Sequence, residues 1–310
     1  MKRYLIVLMA LALALIAAPA TSQTKDKITV AFPPVDPGAE VLYAYDMGFF
    51  DKAGLDVTLD PLGNGGAITA GVLGGSIDIG IANVISIETA HTKGLPLSIV
   101  AAGAANVRSA PSNVLIVAKN SPLQKASDLN GKIVATTPLH GIGDLLISAW
   151  MDKNGGDSTT VKYIEVPFPQ AAGVVTQGRA DASLSVEPFI TQSKADTRVM
   201  ADPFAVLGDN YLITAFFAAS AWAQAHPTIV ARFAAVMRET ADWANKNQAK
   251  SAEILAKYGK LDPDMVKQTI RARYATTLTP AELQPTIDTA AHYKYIDNGF
   301  PAQELIFQTK

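Results

Sequence analysis

A chain of 310 residues, 49% hydrophobic and only 17% charged, can bury a large core, and its length permits two domains. Its 26 basic and 28 acidic residues leave a net charge of −2, with no basic stripe or basic–aromatic interleaving, which argues against nucleic acid as a partner. It has no cysteine, which removes disulfides, thiolate metal sites and cysteine nucleophiles from consideration.

The N-terminus sets Lys2 and Arg3 ahead of the unbroken apolar run 5–18, and Ala18-Pro19-Ala20 supplies a small-residue cleavage site. The run falls short of the ~20 residues that a membrane-spanning helix needs. Residues 1–20 are therefore predicted to be a secretory signal peptide, cleaved after Ala20. Losing Lys2 and Arg3 leaves 24 basic against 28 acidic residues, a net charge of −4. An exported protein of this size without disulfides must rely on its core.

Residues 27–32 alternate as a first strand, and Pro33-Pro34 ends it. Residues 43–50 give an apolar helical face, and Gly54 supplies the left-handed turn that helix ends favour. A strand over 55–59 is closed by Pro61 and Gly63, a helix over 67–73 stops at Gly74-Gly75, and 76–81 is a mostly apolar strand. Asn83 is placed to cap a helix over 84–91, and 97–101 is a further strand. Strand–helix–strand units with short turns build parallel sheets covered by helices.

Within this stretch, MGFFDKAGLDVTL (residues 47–59) followed by GVLGGSIDIGIAN (71–83) resembles the signature of ABC-transporter substrate-binding proteins of the nitrate/sulfonate/taurine class. That class also includes thiamine-precursor binders. The resemblance implies the α/β fold of type II periplasmic binding proteins: two lobes with doubly wound sheets, joined by two crossing strands, with a ligand cleft between them. It further implies a monomer that captures a small solute and delivers it to an inner-membrane ABC permease, without a cofactor. The chain lacks the cysteine that lipid-anchors binding proteins of single-membrane bacteria, so a free protein in a Gram-negative periplasm is expected.

Near 108–113 the register changes, and 114–119 reads as a strand crossing into a second unit that repeats the plan. DLNGKIVATT (128–137) resembles the opening of the second lobe in that family. Strands over 133–136, 163–166 and 182–186 then alternate with helices over 145–151 and 170–176. Residues 211–217 are apolar enough to cross back. The remainder is helical: 226–247 sets Ile229, Phe233, Val236, Met237, Thr240 and Trp243 on one side, and Thr279-Pro280-Ala281-Glu282 is a capping box. The expected division is 21–112 with 207–310 in one lobe and 113–206 in the other. A short internal echo agrees: Gly75–Asp78 and Gly178–Asp181 each join a helix to a strand, aligning Asn83 with Val186 and Val84 with Glu187. Asp78 and Asp181 read as structural residues at strand starts.

In open parallel sheets, ligands bind beyond the carboxyl ends of the strands. This rule selects Phe32 and Pro33, Asn64 and Gly65, and Asn83 in the first lobe, and Thr137, His140, Gly141, Phe168 and Glu187 in the second. Residues 137–143 offer glycine-lined backbone amides to an anion or polar group. They form no dinucleotide fingerprint, since Leu146 stands where the third glycine belongs, and no phosphate loop, since no G-K-[ST] follows. Asn83 serves as a helix cap, a ligand contact or both. Glu187 suits an amine or amino-pyrimidine and would repel an anion unless Arg108, near the first crossing, supplies charge. Phe32, Tyr43, Phe168 and Phe216 can stack on a flat ligand or belong to the core, with Phe32 and Phe168, each at a strand end near proline, the better pair. Sulfonate, carboxylate or aromatic acid, nitrate-like anion and pyrimidine all remain open as solutes. The four histidines, His91, His140, His226 and His292, show no zinc spacing, and no G-x-S-x-G elbow occurs. The alternatives to transport are a periplasmic enzyme on the same fold, such as a dehydratase or pyrimidine-processing protein, and a soluble ligand sensor. Fungal pyrimidine synthases related to this family carry a cysteine-rich motif that this chain lacks.

Overall fold

The computed structural model describes residues 24–63 and 65–308, so the expected signal peptide and Asn64 lie outside the described residues. Two five-stranded mixed sheets organise the chain. The first uses β1 (Asp26–Phe32), β2 (Leu55–Pro61), β3 (Ile79–Asn83), β4 (Leu97–Ala102) and β11 (Thr214–Ala219), in the order β2-β1-β3-β11-β4. The second uses β6 (Asn113–Ala118), β7 (Ile133–Thr136), β8 (Lys162–Glu165), β9 (Ala182–Val186) and β10 (Thr197–Ala201), in the order β8-β7-β9-β6-β10. A two-stranded ribbon of β5 (Ala104–Ala105) and β12 (Arg273–Tyr274) lies beside the first crossing.

The sheets correspond strand for strand. In each, two parallel neighbours flank the central β1 or β7, and the fourth strand runs antiparallel to its partners. That fourth strand is the crossing one, β6 carrying the chain into the second sheet and β11 bringing it back. Matching turns reinforce the correspondence. Gly75 and Gly178 adopt φ of +74° and +67°, left-handed values that glycine reaches without strain. Three residues on, Asp78 Oδ2 accepts Thr29 N–H at 2.7 Å and Asp181 Oδ2 accepts Ile133 N–H at 2.9 Å. Their own N–H groups donate back to the Thr29 and Ile133 carbonyls. Each aspartate thus clasps the neighbouring strand, Asp78 at the middle of β1 and Asp181 at the first residue of β7.

Helices cover both faces. The expected helix 43–50 divides into α1 (Glu40–Asp46) and α2 (Phe49–Lys52), because Gly48 turns left-handed at φ +69°. α3 (Gly65–Leu73) and α4 (Val84–Thr92) connect the first-sheet strands, and α5 (Ile142–Lys153) and α6 (Ala171–Thr176) do so in the second. β3 starts at Ile79 rather than 76, since Ser76 and Ile77 N–H still bond the Gly71 carbonyl at the end of α3. β11 starts at Thr214 rather than 211, because Tyr211 O and Ile213 N–H pair with Asn106 and Ala104 beside it.

Beyond α7 (Phe189–Gln192) and α8 (Ser220–Ala225), the C-terminal helices return to the first sheet. α9 (Pro227–Lys246) lays Val230, Phe233, Val236 and Met237 against it, and Phe233 stacks on Phe50 at 5.8 Å. α10 (Gln248–Gly259), the short α11 (Pro263–Val266) and α12 (Pro280–His292) complete this lobe. α12 opens with the expected capping box, Thr279 N–H donating to Glu282 Oε2 at 2.8 Å. No helix among the described residues is long and apolar enough to cross a membrane.

Candidate functional site

The crossing ends of the two sheets face each other across a cavity of about 80 Å3. The first lobe contributes Pro33, Val35 and Pro37 from the loop after β1, Gly63 and Gly65 at the start of α3, and Ile81 to Asn83 at the end of β3. The second contributes Thr137, Pro138 and Ile142 between β7 and α5, Phe168 after β8, and Leu184 and Val186 on β9. Asn113, Phe204, Ile213 and Thr214 come from the crossing segments. No charged side chain lines the cavity among the described residues.

The polar groups are few and mostly engaged. Asn83 Oδ1 accepts Ser86 N–H at 3.1 Å, capping α4, and its Nδ2 donates one hydrogen to Ser86 Oγ at 2.9 Å. Thr214 Oγ1 accepts Ala104 N–H at 2.8 Å and donates to the Pro37 carbonyl at 3.4 Å. Asn113 Nδ2 donates to Ser112 Oγ at 3.2 Å, which leaves its carbonyl oxygen for a guest.

Of the residues singled out in the sequence, Pro33, Gly65, Asn83, Thr137 and Phe168 come together at this cavity. Asn64 lies outside the described residues. The others go elsewhere. Phe32 is buried and edges a separate groove with Leu42 and Tyr45. Tyr43 is fully buried, and its hydroxyl joins Asp36 and Arg271 in an ion-paired cluster that also takes Ala272 N–H at 2.6 Å. Burial, then the Asp36 charge, pushes that hydroxyl's pKa up, so it stays protonated. Arg108 ties the two crossing segments together: its N–H and guanidinium bond the Asp209 carboxylate at 2.7 and 2.9 Å.

In the 137–143 turn the amides of His140 and Gly141 are not free for an anion. Asp144, at the third position of α5, takes His140 N–H at 2.7 Å and Gly141 N–H at 2.9 Å. The chain's own carboxylate thus occupies the place where an external anion was expected. Burial raises the Asp144 carboxyl, and these amide bonds pull it part of the way back. His140 is exposed with φ +54°, and its ring meets Tyr295 edge-on at 5.6 Å.

Glu187 is likewise turned to structural use. Its carboxylate accepts Thr191 N–H at 3.1 Å and Thr191 Oγ1–H at 2.8 Å, capping α7. It also accepts Ile270 N–H at 3.2 Å, and its carbonyl accepts Asp36 N–H at 3.1 Å. A second-sheet residue is thereby bound twice to the C-terminal and N-terminal parts of the first lobe. Burial raises its carboxyl, with the Thr191 and Ile270 bonds opposing.

Beside the apolar Phe204 and Ile213, Asn113 and Thr214 are the polar cavity residues from the crossing segments that the carboxyl-end rule misses. They begin β6 and β11, the antiparallel strands, and pair with Val186 and Asn83 respectively. The positions equivalent in the two sheets are therefore Asn83 with Val186 and Thr214 with Asn113. No group of three or more histidine, aspartate or glutamate side chains could hold a metal among the described residues.

No curated protein matches the chain in sequence. Solved structures match its fold over nearly its whole length. The periplasmic aliphatic sulphonate binding protein SsuA from Escherichia coli superposes with a TM-score of 0.73 at 19% identity, covering 91% of this chain and 98% of that one. The alkanesulfonate-binding protein SsuA from Xanthomonas axonopodis pv. citri, bound to MOPS, gives 0.76 at 18% identity over 91% and 98%. The periplasmic nitrate-binding protein NrtA from Synechocystis PCC 6803 gives 0.75 at 17% identity over 90% and 84%. These likenesses identify the fold as that of two-lobed periplasmic binding proteins. With the NMT1/THI5 like family model matching residues 38–251, the chain belongs to that family.

Proposed function

We propose that this protein captures a small solute in the periplasm and delivers it to an inner-membrane ABC importer. The observation that carries the reading is the cavity itself: both sheets and both crossing segments line it, so a bound molecule bridges two bodies joined at one hinge. The bodies we assign are residues 21–112 with 207–310, and residues 113–206. Solute shifts the protein toward its closed form by as much as its affinity for closed exceeds that for open. The closed form is what the permease reads. The family and the relatives named above, two sulfonate binders and a nitrate binder, support binding rather than turnover. The basic–apolar N-terminus and the absence of cysteine support export without a cysteine-linked lipid anchor, and we take the exported protein to be a monomer.

Small-angle scattering on the mature chain tests the reading. A stabilising solute, found by thermal shift, should contract the molecule. Unchanged dimensions at saturation would remove hinge closure. Fractionation that left the protein cytosolic would remove export, and turnover of the bound compound would favour an enzyme on this fold.

A further inference from the structure

Resting on the capture reading above, we infer that the solute is an uncharged, largely apolar single-ring molecule that carries one hydrogen-bond donor and one acceptor. Solved structures of similar fold include binders of sulfonates and nitrate, yet this cavity is built against an anion. Its walls are proline, valine, isoleucine, leucine and phenylalanine side chains, with no lysine or arginine among the described residues. An ionised guest there would lose its hydration without gaining a counter-charge, which burial penalises heavily.

The surrounding charges reinforce the exclusion. Asp36 stands between the lining residues Val35 and Pro37, Asp144 two positions after Ile142, and Glu187 next to Val186. All three are carboxylates. Among the described residues the one buried cation beside them, Arg271, gives its Nε and Nη2 to Asp36 and the Tyr43 hydroxyl, while its Nη1 is buried without a partner and does not reach the cavity lining. The amides of His140 and Gly141, which an anion would have used, are taken by Asp144.

An amino-pyrimidine recognised through a carboxylate fits no better. Glu187, the acidic group placed for it by sequence, holds Thr191 and Ile270 instead. What the cavity offers is the Asn113 carbonyl oxygen as acceptor, the second Nδ2 hydrogen of Asn83 as donor, and the Thr137 hydroxyl. Phe168 supplies a face for stacking, and a space of about 80 Å3, roughly half the ~150 Å3 that holds a benzene ring, sets a single ring as the upper limit and admits it as the lobes part slightly.

Isosteric pairs decide the matter. The mature protein is titrated by thermal shift with benzamide against benzoate and benzenesulfonamide against benzenesulfonate, with nitrate and taurine alongside, and scattering is recorded at the highest concentration of each. We expect the uncharged member of at least one pair to stabilise and compact the protein at concentrations at least 100-fold below its anion. Stabilisation by either anion at equal or lower concentration, or by nitrate or taurine alone, would overturn the uncharged class and leave solute capture standing. No stabilisation and no compaction by any of the six would count against capture itself, and this inference would fall with it.

Discussion

Among the described residues, Phe168 is the one aromatic ring that both lines the cavity and keeps part of its surface open. Its truncation should therefore affect the guest more than the fold: Phe168→Ala is expected to weaken solute binding about tenfold, read by calorimetry, with little change in the melting point of the free protein. Glu88 is a different kind of residue. It is wholly buried between α4 and α12, one carboxyl oxygen accepting Thr286 Oγ1–H at 2.6 Å and the other without a partner. Burial, opposed by the Thr286 bond and aided by Asp288, raises its pKa from 4.5 to about 8. Between those values the fold holds a proton that the unfolded chain has released, so this group makes stability fall as pH rises from 4.5 to about 8 and level off above. Glu88→Gln should flatten that part of the slope and be more stable than wild type at pH 8 by about 1–3 kcal/mol, measured by urea unfolding. Sequence made Pro33, Asn83, Thr137 and Phe168 visible because each follows a parallel strand, where the end of an apolar run locates the cleft. Asn113 and Thr214 gave no such sign. They start strands, and only the pairing with Val186 and Asn83 brings them to the cavity.

The paired aspartate clasps set a prediction for the elements. Asp78 and Asp181 do the same work in the two sheets, so Asp78→Ala and Asp181→Ala should each cost about 1–2 kcal/mol by leaving a strand N–H without its acceptor. Unequal costs, one near zero, would show that the correspondence is geometric only. That Asp78 and Asp181 are structural was legible from Gly-x-x-Asp spacing, as were β7 and β9 to the residue, since short apolar or alternating segments between turn signals leave little choice. Where the reading drifted, glycine or hydrogen bonding outweighed the hydrophobic pattern. Gly48 broke an otherwise continuous apolar helix. Ser76 and Ile77 were held back from β3 by the Gly71 carbonyl. Asp144 shows the limit most clearly: its place in α5 was plain, but nothing in the sequence says that its carboxylate turns back onto the amides of the preceding turn.

For the whole molecule, Glu187 is one of the points where the lobes hold each other, through Ile270 N–H on its carboxylate and Asp36 N–H on its carbonyl, beside Lys194 on Gln268 and His140 against Tyr295. Glu187→Ala should reduce solute affinity about tenfold although the side chain does not line the cavity, because the bridged form loses a contact that the open form lacks. Glu187→Gln, which keeps an acceptor oxygen, should recover most of the loss; an alanine variant with unaltered affinity would mean that the bond persists in both forms. The two crossing segments run side by side, Asn106 donating to the Tyr211 carbonyl and accepting from Asn210, both at 2.9 Å, while β6 lies next to β10. The polypeptide therefore leaves for the second sheet and comes home through a single doorway. A fragment cut at that doorway has its two ends already touching, so residues 107–209 expressed by themselves should yield an autonomous, cooperatively melting α/β unit, and the same threshold is where a circularly rewired chain would tolerate new termini.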